Sequence, residues 1–294
     1  MAKSTKLLGV MALIGLITTA CGSHSTLHNT SAPASHAHPN MIIPTPAGTL
    51  AATAPEPNGT LWVLAGNSTS RGIYNMDVSR KKTIGSISVS NNANVIAESS
   101  TGLVALGVST PTSGAVQFRN GTTGAILHTV AVSGPITAIA AGSDGTSFYV
   151  LNGHSSAKAI AIVNGQTGKI ESTVPAPSDA VSIIPTPGEN GIYVLEPNGV
   201  VSEIATAGGH VTTQFPIGHS GRALAIGPNG HTLYVLKGQG VQRNVAIVNL
   251  ATESVKSVLP AAADAVNITL SPDGQILYDV VGSPSYGNVQ AFKL

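Results

Sequence analysis

Ser271-Pro272-Asp273-Gly274, followed by Ile276-Leu277-Tyr278, is the clearest of six near-copies of one short phrase. It recurs as Gly227-Pro228-Asn229-Gly230 before Leu233-Tyr234-Val235, as Ser143-Asp144-Gly145 before Phe148-Tyr149-Val150, and as Glu189-Asn190-Gly191 before Ile192-Tyr193-Val194. Two worn copies complete the set: Glu56-Pro57-Asn58-Gly59 before Leu61-Trp62-Val63, and Ser100-Thr101-Gly102 before Leu103-Val104-Ala105. Taking glycines 59, 102, 145, 191, 230 and 274 as anchors gives a spacing of about 40 to 45 residues, the range in which self-similarity means stacked or radial units.

The fifth copy shows what one unit contains. A short strand, Ala223–Ile226, leads into a Pro-Asn-Gly turn whose Gly230 supplies the positive φ of a tight turn. A second strand, Thr232–Leu236, a loop to Gln242, a third strand at Asn244–Asn249 and a fourth at Ser254–Leu259 follow. Four antiparallel strands in about 43 residues make one blade of a β-propeller, and one blade cannot stand alone in water because both its faces are apolar. The chain ends on a third strand, Asn288–Leu294, with no fourth behind it, while Met41-Ile42-Ile43-Pro44 reads like the fourth strand Ser257-Val258-Leu259-Pro260. The expected fold is therefore all-β: a single propeller over residues 41–294, with six four-stranded blades and seven as the alternative. Pairing of the first and last strands closes the ring and removes the exposed edges that invite aggregation.

The order Pro-Asp-Gly turn, Tyr-Val-x-Asn, then Val-x-Ile-x-Asn-x-x-Thr-Gly-Lys resembles the YVTN β-propeller repeats of prokaryotic surface proteins. Tyr149-Val150-Leu151-Asn152 is the nearest match, with Ile160-Ala161-Ile162-Val163-Asn164 and Thr167-Gly168-Lys169 behind it. Tyr193-Val194-Leu195 and Tyr234-Val235-Leu236 keep the first two letters, whereas Tyr278 is followed by Asp279. The resemblance implies fold and a place outside the cytoplasm; its motif residues build turns and strands, and so do not define a site.

Composition agrees with turns and strands. Only 9% of residues are charged and 4% aromatic, against 33 Gly and 18 Pro. A formal net charge of +1 offers no basic patch for phosphates, which argues against a nucleic-acid partner.

At the amino terminus, Lys3 and Lys6 precede an apolar run from Leu7 to Ile17, the build of an export signal over residues 1–20. The run ends at Thr18-Thr19-Ala20-Cys21-Gly22, which resembles a bacterial lipobox, and Cys21 is the one cysteine of the chain. The expectation is a lipidated Cys21 held at the outer side of a membrane, each acyl chain contributing about 0.8 kcal/mol per buried CH₂. Residues 21–40, rich in Ser, Thr, Ala, Pro and His without hydrophobic period, read as a flexible tether. Within it His36-Ala37-His38 can chelate Cu²⁺ or Zn²⁺ through neutral imidazoles.

Propellers bind where the loops into each inner strand and the loops between second and third strands converge. On the first set of loops lie Asp179, His219, Arg222 and Asp264; the second adds Arg71, His154 and Arg243. These residues predict a rim of mixed charge able to receive a partner's side chains or a small polar ligand. The leading expectation is a membrane-anchored binding scaffold, monomeric and without a cofactor, whose partner is an extracytoplasmic protein or a surface polymer. The resemblance leaves two other classes open: a lactonase-like hydrolase, or a non-catalytic subunit of a periplasmic redox enzyme. Metal capture by the histidines of the tether is a further one.

Overall fold

In a computed structural model, residues 38–294 are described. Cys21 and His36 lie outside them, as do the export signal and nearly all of the tether. After β1 (Met41–Thr45), blade one comprises β2 (Thr49–Ala52), β3 (Thr60–Gly66), β4 (Arg71–Asp77) and β5 (Lys82–Val89). Blade two is β6 (Ala93–Glu98), β7 (Leu103–Ser109), β8 (Gly114–Asn120) and β9 (Ile126–Val132), and blade three is β10 (Ile136–Ala141), β11 (Ser147–His154), β12 (Ala157–Asn164) and β13 (Lys169–Ala176). Blade four is β14 (Ser182–Pro185), β15 (Gly191–Leu195), β16 (Val200–Ala205) and β17 (Val211–Pro216). Blade five holds β18 (Gly221–Ile226), β19 (Thr232–Lys237), β20 (Asn244–Asn249) and β21 (Ser254–Pro260). Blade six is β22 (Ala265–Leu270), β23 (Ile276–Ser283) and β24 (Tyr286–Lys293), completed by β1.

The result is a six-bladed propeller. β1 pairs antiparallel with β24, Ile43 opposite Val289, so the ring closes as the sequence leads one to expect. Every pair of neighbouring blades shares its own hydrophobic cluster, which is why no blade has a core of its own.

The Tyr-Val pair explains how the clusters are made. Successive side chains of a strand point to opposite faces. Tyr149, Tyr193, Tyr234 and Tyr278, with Trp62 in the same place, pack on the following blade. Val63, Val150, Val194 and Val235 pack on the preceding one. Between blades two and three Phe118 and Phe148 meet edge to face, ring centroids 5.1 Å apart.

The anchor turns all sit on one face of the disc. Gly59, Gly102, Gly145, Gly230 and Gly274 close four-residue turns with positive φ, as in Gly274 N–H to Ser271 O at 2.8 Å. Blade four departs from the sequence reading. There the turn is closed by Glu189, at φ 57°, whose N–H donates to Thr186 O, and Gly191 already belongs to β15. The carboxylate of Glu189 accepts Asp144 N–H at 2.7 Å and Ser143 O–H at 3.0 Å from blade three, ties that a glycine cannot make. With Glu189 as the anchor the spacing across blade four becomes regular, and Asp179 falls ten residues before it like its counterparts elsewhere. Asn40 and Leu294 lie on this turn face, held by Asn40 N–H to Ala291 O and Leu294 N–H to Gln275 O. The opposite, mouth face carries the loops into the inner strands.

Candidate functional site

Each inner strand begins at the mouth, and in five blades it begins with a break in register against its neighbour. A bulge of this kind re-aims one side chain. The displaced residues are Leu50, Asn94, Thr137, Arg222 and Val266. Arg222 is the one cation among them; it is exposed, and its Nε donates to Gly238 O at 3.0 Å, leaving the rest of the guanidinium for other partners.

The candidates from the second set of loops behave differently. Arg243 donates from Nη1 to Ala265 O at 2.5 Å, and Arg71 from Nη1 to Ala93 O. Lys158 Nζ reaches Ala180 O at 2.5 Å in the same manner. All three acceptors belong to fully buried alanines at the start of the next blade's inner strand. By register the equivalent positions in the remaining blades are Gly114, Gly199 and Gly287. Cations and glycines therefore alternate around the ring. At the three glycines a Cβ would meet Gly134 O, Gly218 O and Pro46 O at 2.4, 1.1 and 2.4 Å respectively. Arg71 and Arg243 are thus staples between blades, half-buried and with their pKa values lowered by desolvation. Their Nε groups have no hydrogen-bond partner among the described residues.

Asp264 accepts a hydrogen bond from the Tyr286 hydroxyl on the same blade, and this bond, ahead of burial, raises the tyrosine's pKa. Asp179 lies near Glu196; burial first and this neighbouring acid second hold the Glu196 carboxyl above its ordinary range. His219 and His154 are exposed on the mouth loops, and neither makes a side-chain hydrogen bond among the described residues. Arg222, Arg243 and Asp264 do come together: Arg222 lowers the pKa of Arg243 and Asp264 raises it. These three residues stand at blades five and six, whereas Arg71 and His154 belong to other blades.

Two acids of functional interest were not singled out by sequence. Asp279 occupies the place of the repeat's valine, so it faces the preceding blade and is 1% exposed. Its Oδ2 accepts Ala262 N–H at 2.8 Å while Oδ1 has no partner. Burial raises its pKa to about 6 against the opposing pull of that bond and of Arg243. The signal was the break from Tyr-Val to Tyr-Asp in an otherwise repeated pair. Glu98 ends β6 at the turn-face end of the bore, where its Oε2 accepts the Thr53 hydroxyl at 2.9 Å. Desolvation lifts it to about 7, with Glu56 nearby adding to the rise and the Thr53 bond resisting it. No local motif marks Glu98.

The six inner strands enclose a central channel of about 510 Å³. Its wall is mostly Ala, Ile, Val, Leu, Thr and Ser, and the charged residues lining it are Glu98 and Arg222. Among the described residues no group of three or more His, Cys, Asp or Glu converges as a metal site. His38 is exposed at the start of the described chain.

No family model matches this chain, and no curated protein does. Among solved structures it is similar to the hydrazine synthase of Kuenenia stuttgartiensis, with 17% identity, a TM-score of 0.65, and coverage of 84% of this chain and 83% of that one. A likeness at this identity is one of fold, and it agrees with the six-bladed β-propeller that the strands themselves form.

Proposed function

We propose that the chain is an exported lipoprotein, anchored through Cys21, whose YVTN-type propeller is a binding scaffold that presents its mouth face to an extracytoplasmic protein or surface polymer. The observation that carries this reading is the arrangement of the two faces. Asn40, where the tether joins, sits on the turn face, and Arg222, Asp264, Tyr286 and His219 sit on the other. A membrane anchor would therefore pull from the side opposite the mixed-charge rim and leave that rim free to meet a partner. Ring closure supports the reading too, since a closed disc offers a fixed array of loops.

The test is cross-linking in native membranes, then purification through a carboxy-terminal tag and mass spectrometry. The expected result is a stoichiometric partner that is lost with Arg222→Glu or Asp264→Lys and retained with Lys293→Glu on the turn face. Cys21→Ser should release the protein from the membrane fraction. Recovery of the protein alone would end the scaffold reading, and a Cys21→Ser protein that stays in the membrane would end the anchor.

A further inference from the structure

The outer strands β5, β9, β13, β17 and β21 run from the turn face to the mouth, and at their turn-face ends they expose large aliphatic side chains. Ile126, Ile170, Val211 and Val255 share one register position, opposite Arg119, Val163, Ile204 and Val248 and directly before a bulge. In blade two the bulged residue, Leu127, is aliphatic as well, and in blade one Ile84 holds the bulge. These six are 40 to 54% exposed, and Leu294 adds one at the turn-face end of blade six. The same strands bury Val130, Val174 and Phe215 between blades, so the exposed set lies outside the packing of the disc. Nearest the mouth, the exposed residues of these strands are Ser88, Ala131, Pro175 and Pro216 in blades one to four, with Val258 in blade five. A single exposed aliphatic side chain is ordinary on any protein. One at the same level in blade after blade makes a ring around one face.

Lys82, Lys169, Lys256 and Lys293 are exposed on the same rim, and Glu171 and Glu253 stand among them. Long lysine stems lie along apolar surface while their ammonium groups stay at a polar one. Aliphatic side chains bordered by lysines suit the boundary between phospholipid headgroups and acyl chains. With acids interspersed, the apolar ring, and not net charge, is what this rim offers a partner. Where the tether joins the disc points to the occupant. Asn40 is fixed on this face by its N–H to Ala291 O and by its Oδ1, which accepts Lys293 N–H at 2.8 Å. It lies 19 residues after Cys21. A flexible chain of that length spans on the order of 25 Å, so a lipidated Cys21 keeps the turn face beside the bilayer.

On the reading of Cys21 as a membrane anchor, on which this rests, we propose that the aliphatic ring of the turn face docks on the phospholipid bilayer that carries the anchor. The disc then sits on the membrane with its mouth outward. The tether supplies a high local concentration, so the ring needs to add only weak contacts. Cys21→Ser still releases the chain, because a ring of separate half-exposed side chains does not hold it alone. A second copy stacked face to face would cover the same ring, and a lipid-free sample tells the two apart.

The experiment uses the full lipidated chain in phosphatidylcholine vesicles. With Cys21 acylated, an introduced cysteine is the one free thiol, and it carries an environment-sensitive fluorophore. Leu127→Cys and Val211→Cys probe the ring; Val241→Cys, at a position 92% exposed on the mouth loop of blade five, is the control. Lipids spin-labelled near the top of the acyl chain should quench the two ring positions several-fold more than the control. Added salt should leave this difference unchanged. Adding Ile126→Asp, Leu127→Asp, Ile170→Asp and Val255→Asp to the Val211→Cys chain should reduce its quenching to the control level. These side chains are exposed, so the melting temperature should hold; the comparison of ring and mouth labels stands without this variant. Equal quenching at ring and mouth overturns the docking, and if that chain still floats with the vesicles the anchor survives. A ring label shielded as well without lipid means that a second copy covers the ring, which also overturns it. A Cys21→Ser chain that floats with its ring label quenched upholds the docking and removes the anchor.

Discussion

Arg243 and Ala265 are joined across the interface of blades five and six by a hydrogen bond of 2.5 Å from the guanidinium to a buried carbonyl. Arg71 with Ala93 and Lys158 with Ala180 repeat the arrangement two blades apart. The working symmetry of the disc is thus three pairs of blades, with cation staples at one kind of interface and close-packed glycine at the other.

Removing a staple leaves a buried carbonyl without its donor. Arg243→Met should cost about 1–3 kcal/mol, read as a lowered urea midpoint with an unchanged slope. Arg80→Met is the control: its 3.4 Å pair with Asp77 lies at the surface, and such pairs contribute at most about 1 kcal/mol. Equal losses for the two variants would mean that the staple is only another surface charge.

The glycine interfaces are tested by addition. Gly199 has φ 84° and its absent Cβ would lie 1.1 Å from Gly218 O, whereas Gly59 has φ 80° and nothing within 4 Å. Gly59→Ala should cost about 1–2 kcal/mol for the left-handed backbone alone. Gly199→Ala must in addition push two backbones apart and should give little soluble protein. Comparable yields and melting points for the two would show that the blade four loop simply moves aside.

The blade plan was legible because it repeats. A turn glycine, an aromatic and a valine recur in nearly every unit, and each recurrence corrects the reading of its neighbours. The error at Gly191 has the same origin. Glu189 takes the left-handed position for the sake of its bonds to Ser143 and Asp144 in the preceding blade, and no local rule marks a glutamate as a turn anchor. The candidate site was legible only as a set of loops. Arg222 and Arg243 are both arginines near the mouth, yet one is freed by a bulge and the other is spent on a carbonyl. Glu98 acquires its interest from a desolvated place beside Thr53, 45 residues away on the neighbouring blade.

Ring closure also makes a prediction. Ile43 is fully buried in the cluster shared by blades six and one. Ile43→Asp puts an unpaired charge there and should detach β1, exposing the edge of β24. Expression should fall, and the protein that remains should aggregate on light scattering with mild warming. Ile43→Val should be nearly silent, at about 0.5–1.5 kcal/mol. A monomeric, thermally normal Ile43→Asp protein would show that the closing strand is dispensable.

The acids set a pH profile whose sign can be worked out. Burial lifts Glu98 from 4.5 to about 7 and Asp279 from 3.8 to about 6, so between pH 4.5 and 6 the folded chain holds protons that the unfolded chain has released. Stability must then fall as pH rises through this window, and it goes on falling to about pH 7 through Glu98. Asp144 works in the opposite sense. Burial pushes its pKa up, but the backbone and hydroxyl hydrogen bonds of Ser147 and Thr146 outweigh this and bring it to about 2. Its contribution is full above pH 3.8 and is lost as pH drops towards 2. The melting temperature should peak near pH 4 to 5 and decline by on the order of 5–10 °C by pH 7. In the double variant Glu98→Gln, Asp279→Asn the decline above pH 5 should flatten while the acid limb persists. A wild-type melting temperature that climbs from pH 5 to 7 would mean that both carboxyls are ionised in the folded protein, Asp279 as a close partner of Arg243 and Glu98 with its charge open to water.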